Sequence, residues 1–155
     1  MERIRDIITR MADIREDMDL TQMEMADKFG IKQGVYSRWE KGKEIIPLRR
    51  LNEFSNMTGF SLDYICGFTH DKDAKKHLDA LDQKAVGKRL REFRKMNGIT
   101  QIELSTYLNT TQSTISAYEK GRALLLTAFA IQIARKYNIS IDWLAGKSDD
   151  MLIKK

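Results

Sequence analysis

The chain has 155 residues, of which 27 are lysine or arginine and 22 are aspartate or glutamate, giving a net charge of +5. A single cysteine, Cys66, excludes an internal disulfide, and no apolar run reaches the roughly 18 residues of a membrane span. The first residues lack the apolar core of a signal peptide, so we expect a cytoplasmic protein without a membrane partner.

The first part of the chain begins with two predicted helices. Apolar residues recur at helical spacing from Ile4 to Met18, which indicates the first helix. Thr21 is followed three residues later by Glu24, and this capping-box pattern predicts a second helix that begins at Gln22.

Three further helices complete a first domain at residues 1–67. The second helix should end at Gly30, because glycine readily takes positive φ. The third is expected from residue 32 or 33 to residue 41, and the fourth follows Pro47. The fifth lies between Ser61, a plausible N-cap, and Gly67.

A polar and charged connector follows at residues 68–83. It contains no proline, and Ala74, Leu78 and Leu81 are spaced so that they can form one or two helical turns. The spacing predicts a short, semi-rigid connector that can be helical.

The signals of the first domain return at a constant offset of 79 residues. Thr100 and Glu103 repeat the capping box, and Gly121 repeats the glycine that stops the third helix at Gly42. A repeat this long indicates two copies of one domain. We predict an all-α chain of two five-helix domains, the second at residues 84–147, with a tail at residues 148–155.

Charge is distributed unevenly between the copies. Residues 1–71 contain 11 basic and 13 acidic residues, a net charge of −2, whereas residues 84–155 contain 13 and 6, a net charge of +7. A basic half indicates a polyanion partner such as nucleic acid, although a merely soluble basic surface fits equally well.

In each copy the second and third helices form a helix-turn-helix motif. A small residue, Ala26 or Ser105, stands where the two helices cross. The outward face of the third helix carries residues that suit a major groove, where glutamine can bind adenine and arginine can bind guanine. These candidate base-reading residues are Lys32, Gln33, Gly34, Ser37 and Arg38 in the first copy, and Thr111, Gln112, Ser113, Ser116 and Ala117 in the second.

Both halves resemble the phage Cro/repressor (XRE-type) family of helix-turn-helix domains. The shared motifs are Thr-Gln-x-Glu at 21–24 and 100–103, a glutamine at 33 and 112, Glu-Lys-Gly at 40–42 and 119–121, and Ser-x-Asp at 61–63 and 140–142. The resemblance implies two lambda-repressor-like five-helix domains. It also implies a sequence-specific transcriptional regulator, most simply a repressor, that binds double-stranded DNA.

The resemblance assigns further roles by position. Four residues match phosphate contacts of the family, namely Gln22, Lys43, Gln101 and Arg122. Arg15 with Glu40, and Arg94 with Glu119, match a structural ion pair between the first and third helices.

Two arrangements fit the sequence. In one, both domains read DNA as an internal pseudo-dimer, or the chain forms a homodimer, with half-sites about one helical turn apart. In the other, the basic C-terminal domain binds DNA while the acidic N-terminal domain dimerises or docks a protein, as an antitoxin or adaptor does. We expect no enzymatic activity and no cofactor, because no nucleophile with a base and no phosphate loop stands out. We expect no metal site, because His70 and His77 lack a cysteine partner.

Overall fold

The computed structural model describes the backbone of residues 2–154 and the side chains of residues 10–154. Within residues 2–154 there are ten helices, five in each copy of the repeat, so the predicted all-α fold is confirmed. They are α1 (Glu2–Asp17), α2 (Gln22–Phe29), α3 (Gln33–Glu40), α4 (Leu48–Thr58), α5 (Leu62–Ile65), α6 (Gln83–Met96), α7 (Gln101–Tyr107), α8 (Gln112–Glu119), α9 (Thr127–Tyr137) and α10 (Ile141–Ala145). The side chain of Ile4 and the terminal residues Met1 and Lys155 lie outside the described residues. In the described part of the chain, no helix is long and apolar enough to cross a bilayer.

Both helix-turn-helix motifs open with the predicted capping box. The Thr21 hydroxyl accepts from the Glu24 N–H at 3.1 Å, and the Glu24 carboxylate accepts from the Thr21 N–H at 3.0 Å. Thr100 and Glu103 make the same two bonds at 3.0 and 3.1 Å. Each box satisfies two N–H groups that the first turn of a helix leaves without a partner.

The two domains fill the same core positions with different side chains. In the first domain the ring of Phe29 lies 6.0 Å from Tyr36 and 5.5 Å from Trp39, measured between centroids. Leu108 and Ile115, both buried, take the positions of Phe29 and Tyr36 in the second domain. At these two positions the first core is aromatic and the second is aliphatic, whereas Tyr118 keeps an aromatic ring at the position of Trp39.

The connector does not form the helical turns that its spacing predicted. In residues 68–82 the described chain is extended or turned, with a single antiparallel bridge between Phe60 and Asp73. The Ser61 N–H donates to the Lys72 carbonyl at 2.7 Å, and the Ala74 N–H donates to the Gly59 carbonyl at 2.9 Å. These bonds to the first domain take the place of the bonds that a helical turn would make.

The tail repeats the path of the connector. The Ser140 N–H donates to the Met151 carbonyl at 2.8 Å, and the Ile153 N–H donates to the Asn138 carbonyl at 3.0 Å. Both are the connector's bonds shifted by 79 residues, so the structural repeat continues past the fifth helix of each domain.

The domains pack against each other through the N-termini of α5 and α10. Asp142 accepts from the N–H groups of Leu62 and Asp63, each at 2.8 Å. In return, Asp63 accepts from the Ile141 N–H at 2.6 Å and from the Ser140 hydroxyl at 2.5 Å. Each aspartate therefore binds the positive end of the other domain's helix. Such reciprocal contacts are those of an interface with two-fold pseudosymmetry.

One set of hydrogen bonds between the domains depends on a side chain that the 79-residue shift does not repeat. The ammonium group of Lys147 is buried and donates to the side-chain oxygens of Asn52 and Asn56 at 2.9 and 2.8 Å. The position equivalent to Lys147 is Phe68, which has no ammonium group. Burial lowers the pKa of Lys147, although the nearby Asp142 carboxylate opposes that shift. The interface therefore fits two unlike domains.

Candidate nucleic-acid interface

The third helix of each domain, α3 or α8, starts at the predicted glutamine but is capped differently. Thr111 caps α8, since its hydroxyl accepts from the Thr114 N–H at 3.2 Å. Lys32 occupies the same position before α3 and makes no side-chain bond to the helix. The first N–H groups of α3 thus lack a side-chain acceptor at the cap, and the Lys32 side chain is exposed.

Most of the predicted base-reading and phosphate-contact residues reach the surface. Gln22, Gln101, Ser116 and Ala117 are half-buried. The exposed residues are Lys32, Gln33, Gly34, Arg38 and Lys43 in the first domain, and Thr111, Gln112, Ser113 and Arg122 in the second.

Ser37 is the exception, because it is buried and does not face outward as predicted. It lies three residues before Glu40, which is also buried, and residues three apart are neighbours on a helix surface. The buried face of α3 therefore includes Ser37, which was predicted to lie on the outward face.

A concave surface of about 320 Å³ lies at α8 and the loop after it. It gathers predicted residues that are up to ten positions apart in the chain, namely Gln112, Ser113, Ser116, Ala117 and Arg122. A second concavity, of about 500 Å³, joins Gln112 to Gln101 and also includes Lys95, which was not predicted. Lys95 is exposed in the last turn of α6, and its charge in the basic half was the available signal.

A chain of hydrogen bonds ties the start of α8 to the buried ion pair. The Gln112 side-chain amide donates to the Gln101 side-chain oxygen at 3.3 Å, and the Gln101 amide donates to the Glu119 carboxylate at 3.1 Å. Glu119 in turn accepts from Arg94 at 2.6 and 2.9 Å. An amide nitrogen carries two hydrogens, so Gln101 can hold Glu119 and still donate to a phosphate.

The first domain has the same ion pair and the same first glutamine. Glu40 accepts from Arg15 at 2.8 and 3.1 Å and from the Gln22 amide at 3.1 Å. Burial acts to raise the pKa of Glu40, but the hydrogen bonds led by that from Arg15 outweigh it and hold the pKa below its usual value. Glu40 is therefore ionised at neutral pH and keeps α1 and α3 joined.

The loops after α3 and α8 carry different charges near the recognition surface. In the first domain Arg38 Nε donates to Glu44 Oε1 at 3.0 Å, and both side chains are exposed. Alanines stand at both equivalent positions in the second domain, Ala117 and Ala123. Arg38 was predicted from the sequence and Glu44 was not, because Glu44 lies beyond the helix and comes close to Arg38 only in the folded loop.

Comparison with known families accounts for this arrangement. The profile of the helix-turn-helix family matches residues 11–65 and matches again at residues 90–144. The chain belongs to the helix-turn-helix family. The two matched segments are themselves 79 residues apart, and together they cover more than half of the chain.

Curated relatives of this family member are regulators. The chain is 35% identical over 65 residues to the HTH-type transcriptional regulator ImmR of Bacillus subtilis (strain 168). This match covers 42% of the chain and 51% of that protein. The chain is 33% identical over 66 residues to the uncharacterized HTH-type transcriptional regulator YobD of the same strain, covering 43% and 59%. It is 28% identical over 86 residues to the cryptic phage CTXphi transcriptional repressor RstR of Vibrio cholerae serotype O1, covering 50% and 77%. The matches to ImmR and YobD thus span little more than half of those proteins. No solved structure matches the chain.

Proposed function

We propose that this chain is a sequence-specific DNA-binding repressor of transcription that places two unlike recognition helices, α3 and α8, on one duplex. One observation carries the proposal. The reciprocal bonds of Asp63 and Asp142 join two helix-turn-helix domains whose recognition helices both reach the surface. The names of the relatives, two regulators and one repressor, support the regulatory role.

Different side chains contact the phosphates and the bases. Lys43, Arg122, Gln22 and Gln101 contact phosphates and set the register of the protein on the duplex. Gln33, Arg38 and Gln112, which are exposed, read base edges in the major groove. Because the two helices carry different readers, the site consists of two unlike half-sites about one helical turn apart and is not a perfect palindrome.

A second candidate function follows from the charge of the first domain. Residues 1–71 have a net charge of −2, with 11 basic and 13 acidic residues, and a negative surface weakens binding to phosphates. In this alternative the second domain alone binds DNA, and the first dimerises or docks a protein partner.

Separate substitutions in the two recognition helices distinguish these functions. Duplexes are selected from a random pool by the wild-type chain, and the affinities of Arg38→Ala and Gln112→Ala for them are then measured. If both helices read bases, each substitution weakens specific binding by about 1–3 kcal/mol. Lys154→Ala is the matched control, because it removes an exposed cation from an ion pair with Asp150 in the tail.

The outcomes are distinct. An effect of Gln112→Ala without any effect of Arg38→Ala favours the alternative in which the second domain alone binds DNA. A wild-type chain that retains no duplex from the pool contradicts the DNA-binding function altogether.

A further inference from the structure

We propose that Glu44 is a positioning residue that determines specificity, because it holds the Arg38 guanidinium in the orientation that reads a guanine in the first domain's half-site. The inference rests on the proposed function, since it concerns how α3 reads a base. It adds a residue outside the recognition helix, and it predicts how the two half-sites differ.

The contact joins the recognition helix to the loop that follows it. Arg38 Nε donates to Glu44 Oε1 at 3.0 Å, and the Glu44 N–H donates to the Arg38 carbonyl at 3.3 Å. An arginine has five N–H donors, and the carboxylate takes only the one on Nε. The terminal nitrogens Nη1 and Nη2 are left to make the paired bonds that guanine O6 and N7 accept.

The loop that carries Glu44 is closed by a backbone hydrogen bond that recurs in the second domain. The Lys43 N–H donates to the Arg38 carbonyl at 3.0 Å. At the equivalent positions of the second domain, the Arg122 N–H donates to the Ala117 carbonyl at 2.9 Å. The turn from Arg38 to Lys43 therefore recurs from Ala117 to Arg122 in the second domain.

Both members of the pair are missing together from the second domain. Ala117 stands at the position of Arg38, and Ala123 stands at the position of Glu44. A lone arginine or a lone glutamate occurs in neither copy. This is the pattern expected when the two side chains act as one unit.

Folding stability does not account for the pair. The side chains of Arg38 and Glu44 are 46% and 53% exposed, and ion pairs this exposed contribute little to folding. A carboxylate beside a phosphate backbone also weakens binding unless a cation neutralises it. Orientation of the arginine is the role that fits both the exposure and the geometry.

The two half-sites should consequently differ at one base pair. At this position α3 requires a guanine, whereas Ala117 offers only an apolar contact of the kind that fits a thymine methyl group. The binding site is then asymmetric at this base pair, because one half-site requires a guanine and the other does not.

The test measures base preference with the full chain. Each base pair of a duplex selected by the wild-type chain is replaced in turn, and the guanine read by α3 is the one whose preference Arg38→Ala lowers by about 5- to 150-fold. Glu44→Ala should lose most of that preference at the same position. Glu44→Gln should keep it, because its amide oxygen can still accept from Nε. The melting temperature should change little in all three variants, since the pair is exposed.

A transplant provides the converse experiment. Ala117→Arg combined with Ala123→Glu should create a guanine preference in the second half-site, and this preference should exceed that of Ala117→Arg alone. The loops of the two domains are closed by the same bond to residue 38 or 117, so the transplant places the two side chains on a similar turn.

Two results overturn the inference while leaving the proposed function standing. One is an unchanged guanine preference in Glu44→Ala. The other is an equal gain in affinity for every duplex without a change in preference, which would mean that Glu44 only repels phosphates. If the wild-type chain selects no duplex, the proposed function fails and the inference falls with it.

Discussion

Two arginines, Arg15 and Arg94, each fix a buried carboxylate of the third helix in their domain. The Arg15 and Glu40 side chains are only 12% and 5% exposed, and Arg94 and Glu119 have the same values. These pairs were predictable, because the repeat brought the same residue types to the same positions. The inward turn of Ser37 was not predictable, because exposure at the edge of a helix face depends on which neighbours pack over it.

Breaking the second of these pairs should be costly. Arg94→Met leaves Glu119 charged and buried, so we expect a loss of about 3–5 kcal/mol in the free energy of unfolding measured with urea. Arg38→Met is the matched control, because it breaks an exposed pair and should cost less than about 1 kcal/mol. Similar losses in the two variants would show that burial does not govern the strength of these pairs.

Among the elements, α6 approaches α8 more closely than a side chain at residue 87 would allow. A Cβ atom built on Gly87 would lie 2.2 Å from the Tyr118 carbonyl oxygen and 2.8 Å from that of Glu119. Gly34, inside α3, has nothing within 4 Å of the same hypothetical atom. Two glycines that each lie inside a helix therefore meet opposite constraints.

Alanine at these two positions should act in opposite directions. Gly87→Ala must push the end of α8 away and should destabilise the protein by about 1–3 kcal/mol. Gly34→Ala meets no neighbour, and the loss of backbone freedom in the unfolded chain should stabilise it by about 0.5–1 kcal/mol. Denaturation midpoints of the two variants provide the measurement, and a shift of the same sign in both would refute the packing argument.

Helix boundaries were predictable and the connector was not, for a physical reason. Capping boxes and positive-φ glycines act within a few residues, so the sequence carries them locally. The Leu78 carbonyl in the connector instead accepts from Asn52 and Asn56, at 3.0 and 2.5 Å, and Leu81 is buried. Leu78 and Leu81 are spaced as on a helix face, but here they lie in an extended connector that is held against the first domain by partners distant in the sequence.

At the scale of the whole molecule, two carboxylates lie buried at the contact between the domains. Burial, together with the neighbouring Asp142 carboxylate, raises the pKa of Asp63 to about 8. The repeat predicted two domains, but it gave no sign that Asp63 and Asp142 would exchange partners, since each lies close to the other only after the domains dock. The contact of Lys147 with Asn52 and Asn56 was hidden for the same reason.

The raised pKa of Asp63 makes stability depend on pH. The folded chain retains a proton that an unfolded aspartate, with a pKa near 4, releases. This contribution is complete below about pH 4, falls by at most about 1.4 kcal/mol per pH unit as the pH rises, and is gone above about pH 8. We expect the free energy of unfolding to decrease from pH 5.5 to pH 8.

Asp63→Asn tests the assignment, because an amide at this position does not titrate and its oxygen can still accept from the Ile141 N–H. The unfolding free energy should fall less steeply with pH between 5.5 and 8 in this variant than in the wild type. Equal slopes in the two proteins would place the titrating group elsewhere.

In the proposed complex, one chain reads two unlike half-sites. Hydroxyl-radical footprinting of the wild-type chain on a duplex that it has selected from a random pool tests this most directly. We expect two protected segments of different sequence, centred about 10 base pairs apart, with Arg38→Ala and Gln112→Ala each weakening protection of a different segment. A single protected segment, or two segments of identical sequence that both weaken with Gln112→Ala alone, would contradict it.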